Sequence, residues 1–282
     1  MKIFHKITLA LLAPLMLNTQ LKATSMTIQV DNADVAHASG AISTGTLHKT
    51  GTGTLSLEAA NTLTTLDIQA GKVNVSATNN FGGGAVSFTT APGSILAATA
   101  PVTVPVLTMT VAGELLADGS GALALNAVPT GASVLNLAST TATSAGDAIT
   151  VGDLHTSVTP VTITGFVKAG AVGSLLTSGA TIVSSGGTLE LMGATAKSVP
   201  GATTVVQSGG AIQVAAGIAV PANDDQTSGA GGNTPATVAD IFSNAVANTS
   251  ANTATLNFAS GSKLILGNGS YWARSVTVGT PS

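Results

Sequence analysis

LHKTGTGTLSLEAANTLTTLDIQAGKVNV, residues 47–75, is the stretch that decides the fold. Gly53-Thr54-Leu55-Ser56-Leu57 and Gly71-Lys72-Val73-Asn74-Val75 each open on glycine and then alternate polar with apolar residues. Period two is the pattern of a strand with one face in a core and the other in water. The polar residues between the two segments read as a connection. Each glycine offers a tight corner the positive φ that other residues adopt only under strain.

Weaker versions of the unit recur outward from this stretch. They include Gly84-Ala85-Val86-Ser87-Phe88, Gly93-Ser94-Ile95-Leu96, Gly113-Glu114-Leu115-Leu116 and Gly121-Ala122-Leu123-Ala124-Leu125. Val134 to Leu137 and Val161 to Ile163 follow, and the unit returns at 187–191, 210–214 and 262–266. The spacing is irregular, which suits a β-helix whose loops differ in length around a constant core. A sandwich wants aromatic core residues and evenly spaced hairpins. Here aromatic residues are only 3% of the chain, and 33 Gly and 10 Pro punctuate it. The predicted fold is therefore an all-β, right-handed parallel β-helix with turns of roughly 20 to 25 residues.

Leu47, Lys49, Gly51, Gly53, Thr54, Leu55, Leu57, Asn61, Ile68, Ala70, Gly71, Val73 and Val75 carry a further likeness. At these positions the stretch resembles the passenger-associated strand repeat of bacterial autotransporters. Leu63-Thr64-Thr65-Leu66 departs from that repeat, which usually has Tyr-Thr-Gly-Gly in a longer middle. The resemblance implies export to or beyond the outer membrane of a Gram-negative cell. Autotransporters continue into a C-terminal barrel of amphipathic strands. No barrel is present before Ser282, so a passenger fragment and a stand-alone secreted relative are both expected possibilities.

The N-terminus reads as an address. Lys2, His5 and Lys6 precede a short apolar run from Ile7 to Leu17, and Leu21-Lys22-Ala23 offers a small residue for cleavage. That is the layout of a secretory signal peptide, expected over 1–23. Pro14 and the shortness of the run argue against a membrane span, and none is expected later in the chain. Residues 24–46 then form an N-terminal capping segment, and 47–282 the β-helix, with a loop and short-helix excursion at 221–252. There, PANDDQTSGAGGN is glycine-rich, and Thr234-Pro235 reads as the N-cap and first position of a helix.

Composition narrows the function. Charged residues are 7% of the chain against a usual ~25%, so Thr, Ser, Asn and Gly build the polar surface. Three of the nine basic residues lie in the first 23 positions, so loss of a leader deepens the acidic excess. No nucleic acid is expected as a partner on such a surface. Zero Cys excludes disulfides and thiolate metal sites.

Candidate sites are sparse. Asp31 and Asp34 suggest a calcium pair, but a solvated turn explains them as well. Asp153, His155 and Ser157 hold the residue types of a hydrolase, yet neighbours at i and i+2 cannot form a triad with an oxyanion hole. Asp224 and Asp225 in the glycine-rich loop are candidate partner-binding residues, although the spacing of known calcium loops is absent. Tyr271 and Trp272 form an aromatic pair suited to stacking on a sugar ring or to plugging the end of a core. No catalytic, metal or cofactor residue is expected. The predicted function is a non-catalytic exported β-helix at the cell surface, outer membrane or beyond, acting as an adhesin or structural protein. Its expected partners are ligands or glycans on host or neighbouring cells. The alternatives are a polysaccharide-active β-helix enzyme and a surface-layer or ice-binding repeat protein. Thr-x-Thr pairs such as Thr108/Thr110 do not recur at the steady interval a lattice-matching face needs.

Overall fold

The computed structural model describes residues 6–8, 22–76, 84–126, 129–140, 149–151, 159–169, 180–191, 203–214 and short paired segments at 219–220, 236–237, 255–258, 261, 263–266, 271–272 and 276–277. Regular structure among them is entirely β, with no helix, and the strands stack in parallel as a β-solenoid. No helix among the described residues is long and apolar enough to cross a membrane. The chain divides into two compact units, 1–149 and 150–282.

Two long ladders build the first unit. One stacks β1 (Lys6–Thr8), β2 (Lys22–Gln29), β4 (Ser43–Thr50), β6 (Thr62–Ile68), β8 (Ala85–Phe88) and β11 (Leu107–Met109). The other stacks β3 (Val35–Ala38), β5 (Thr54–Leu57), β7 (Lys72–Val75), β9 (Ser94–Ala98), β12 (Gly113–Ala117) and β14 (Leu135–Ser139). A third begins with β10 (Pro101–Val104) and β13 (Ala122–Leu125). The strand β15 (Ile149–Val151) lies at the boundary between the units.

The predicted alternation decides which way each strand faces. Leu55, Val73, Leu96, Leu115 and Leu137 fall in one register row, and each is at most 1% exposed. Leu47, Leu66, Val86 and Leu107 form the matching row on the other ladder. Full burial of one such side chain contributes about 1.5–3 kcal/mol gross. A net backbone hydrogen bond contributes only about 1 kcal/mol. A strand turned over could keep its ladder bonds but would expose its buried side chains, so burial decides which way it faces.

The stretch 47–75 holds more strand than its alternation predicts. Its polar middle is β6, seven residues long. Pairing skips Thr24, Gly45 and Thr64, so the three strands bend at the same level. The bend shifts the alternation, and Leu63, Leu66 and Ile68 are all buried. Gly45 sits at the bend because a Cβ there would strike the Thr24 carbonyl oxygen.

In the second unit, one ladder stacks β16 (Val161–Ile163), β18 (Ala180–Val183), β20 (Thr203–Val206) and β24 (Thr255–Phe258). The other stacks β17 (Phe166–Ala169), β19 (Thr188–Leu191), β21 (Ala211–Val214) and β25 (Lys263–Leu266). Val167, Leu189 and Ile212 share a fully buried row. Successive partners lie 20 to 23 residues apart up to β20 and β21. The next step is 52 residues on both ladders, Thr203 to Thr255 and Ala211 to Lys263.

That long step contains the stretch expected to leave the solenoid. Within it, β22 (Ala219–Val220) pairs with β26 (Tyr271–Trp272), and β23 (Ala236–Thr237) with β27 (Val276–Thr277). Ala236–Thr237 is thus strand where Thr234-Pro235 predicts the first turn of a helix. Local capping signals are weak beside a partner strand that satisfies the backbone. Residues 238–252 lie outside the described residues.

Candidate functional site

The sequence candidates are not brought together. Asp224, Asp225, Asp153, His155 and Ser157 lie outside the described residues. Tyr271 and Trp272 are placed by their backbone alone, as the strand paired with Ala219 and Val220. Asp31 and Asp34 occupy an exposed turn in which the Asp34 amide donates to the Asp31 carbonyl at 3.2 Å. Asn32 takes φ 57° there, and its amide donates to Thr52 Oγ1 at 3.1 Å. Asp31 accepts a hydrogen bond from Gln29 Nε2 at 2.7 Å. Among the described residues, no group of three His, Cys, Asp or Glu side chains could hold a metal ion.

The chemically capable groups lie elsewhere, in and beside β4 and β6. Lys49 occupies an inward row between Ile28 and Ile68 and has no exposed surface. Its Nζ donates to the carbonyls of Thr50 at 2.9 Å, Gly51 at 2.7 Å and Ala70 at 3.1 Å. An ammonium has three hydrogens, and all three are used. Burial pushes the Lys49 pKa down to about 8, against the pull of the Asp31 carboxylate. The carbonyls converge because Gly51 and Gly71 take φ of 74° and 73° at adjacent corners. Lys49 is therefore a corner latch, and its burial leaves no room for a substrate.

Asp67 is the centre of a second cluster. It lies in the outward row with His48 and Ser87, on three successive strands. Its Oδ1 accepts from Thr89 Oγ1 at 2.7 Å and Ser87 Oγ at 3.1 Å. Its Oδ2 accepts from His48 Nδ1 and Gln69 Nε2, both at 2.8 Å. Although outward, Asp67 is only 7% exposed. Burial pushes its carboxyl up, but the hydrogen bonds from Thr89, Gln69, His48 and Ser87 outweigh burial and hold it below the usual carboxylate range.

Ser, His and Asp thus meet, but in an order that does not activate the serine. A nucleophilic triad needs histidine between the other two, taking the hydroxyl proton. Here Asp67 is in the middle, and Ser87 and His48 stand two strands apart, about 10 Å at ladder spacing. Sequence reasoning missed this cluster. The available signal was the step between rungs: His48, Asp67 and Ser87 are separated by 19 and 20 residues. An Asn61 latch repeats the theme, its Oδ1 accepting from the Ile42 amide at 2.7 Å and its Nδ2 donating to the Ala59 carbonyl at 2.7 Å.

No protein-family model, curated protein or solved structure matches the chain.

Proposed function

We propose that the chain is a non-catalytic, exported cell-surface β-helix of the autotransporter-passenger kind, acting as an adhesin or a surface-structural protein. The observation that carries this reading is how the strongest polar groups are used. Lys49 spends all three hydrogens on carbonyls of its own chain, and Asp67 accepts from four side chains of its own chain. Polar chemistry spent on holding strands together suits a scaffold that presents surface, and loops on such a scaffold are where recognition sits. The passenger resemblance around Leu47 to Val75 and the leader-like N-terminus support the cellular address.

Fractionation of native cells, followed by binding of the purified protein to cells and glycan arrays, tests the reading. The expected result is recovery with the envelope or the medium, together with saturable binding to cells or glycans or assembly into a surface layer. Recovery in the cytoplasm would contradict it, and so would cleavage of acidic polysaccharide by the pure protein.

A further inference from the structure

We propose that the Asp67 cluster is a proton-operated lock on β4, β6 and β8: ionised, Asp67 ties the three strands together side chain to side chain, and protonated, it releases them. The inference stands apart from the surface reading above.

The geometry carries it. Asp67 sits on the middle strand, with His48 from β4 on one side and Ser87 and Thr89 from β8 and the residue after it on the other. Gln69, just past β6, closes the fourth direction. An ionised carboxylate only accepts, and here every neighbour donates. A neutral carboxyl attracts these donors more weakly, and its own hydrogen must turn one of the four bonds round or break it.

The neighbouring titratable groups leave Asp67 as the switch. From β4 come His48 and Lys49, and Lys49 turns inward to its three carbonyls. The β8 side contributes only hydroxyls, and β6 has no second titratable side chain. His48 faces Asp67 through Nδ1 and is one of its four donors. The four donors hold the folded carboxyl below its ordinary range. Its contribution to stability is therefore present above the unfolded carboxylate pKa and is lost as pH falls through the lower folded value. The first turns stay closed in neutral and mildly acidic surroundings and open only in stronger acid.

Hydrogen exchange on the full chain, read by mass spectrometry at several pH values and corrected for intrinsic rates, tests the lock. The expected result is that protection across β4, β6 and β8 falls on acidification while that of β12 holds. Asp67→Asn should be less protected at neutral pH and should lose this pH dependence. Thr89→Val removes one donor and should move the transition up by about one pH unit, the equivalent of one charge-assisted hydrogen bond. If Asp67→Asn does not fold, Thr89→Val decides alone. An unchanged transition in Thr89→Val, or protection falling across all strands together, would overturn the proposal.

Discussion

Residues 22–98 in the first unit and 159–214 in the second are both parallel ladders, yet they are held differently. In the first, β2 and β4 run eight residues and β6 seven, and polar side chains bridge successive rungs at Lys49, Asn61 and Asp67. In the second, β16 to β21 run three or four residues. There the corners repeat: the Gly187 amide donates to Ser184 and the Gly210 amide to Gln207, while Gly186 and Gly209 take φ near 80°. These corners also stack, the Gly186 amide donating to Gly209 and the Gly209 amide to Gly261. A long strand has room to place a latch, whereas a short one relies on an identical turn to keep register. The side-chain bridge between Glu190 and Gln213, at 3.0 Å, is an addition to that arrangement.

The largest expected effect is at the latch. Lys49→Ala leaves three carbonyls without their donor and opens a cavity in the core row. It should lower stability by about 4 kcal/mol, read by urea denaturation of the first unit's signal in the full chain. A loss below about 1 kcal/mol would mean that the latch does not hold the first rungs.

Corners come next. A Cβ on Gly121 would stand against the Ala98 carbonyl oxygen, so Gly121→Ala should cost about 3 kcal/mol. Gly119 takes φ 61° with open space around its Cβ position, and Gly119→Ala should cost only about 1 kcal/mol. Thermal melts of the two variants side by side separate lack of room from backbone strain. Equal losses would show that the close approach at Gly121 is relieved by a small backbone shift.

Smaller still is Glu190→Ala, which removes the Gln213 partner from a strand already fixed by its corners. A loss near 1 kcal/mol is expected, and a loss as large as that of Lys49→Ala would erase the contrast between the regions. The half-exposed His37–Glu58 contact, at 2.5 Å, should matter least. Glu58→Gln is expected to change stability by about 0.5 kcal/mol or less.

The fold was legible because one-face burial imposes period two wherever a strand is straight. Gly113–Ala117, Thr188–Leu191 and Ala211–Val214 lie where the alternation places them. The bend at Gly45 and Thr64 defeats the same rule in β6, since one skipped residue puts Leu63 and Leu66 on the same face. β10 opens on Pro101, which reads as a break, and β11 is three residues long, too short for a period to show. Among the glycines that open the strand units, the positive φ expected of them is found at Gly71 and Gly93. Gly53, Gly121, Gly187 and Gly210 serve a different need, since a Cβ on any of them would strike a carbonyl of the rung before.

The polar clusters were hidden for another reason. Lys49 matches a position of the repeat, but nothing in the repeat shows that it occupies an inward row and turns its ammonium onto carbonyls. Asp67 meets its partners across whole turns, so the residues that matter are about 20 positions away.

Register is the claim on which the rest depends, and a chain with no cysteine makes it directly measurable. Thr46 and Thr65 are half-buried partners on β4 and β6. Adjacent strands lie about 4.8 Å apart, inside the reach of a disulfide. Thr62 pairs instead with Ser43, three residues out of step with Thr46. Under mild oxidation, the Thr46→Cys/Thr65→Cys variant should form an intramolecular disulfide, and Thr46→Cys/Thr62→Cys should not. Cross-linking of the second pair in preference to the first would contradict the stacked parallel register.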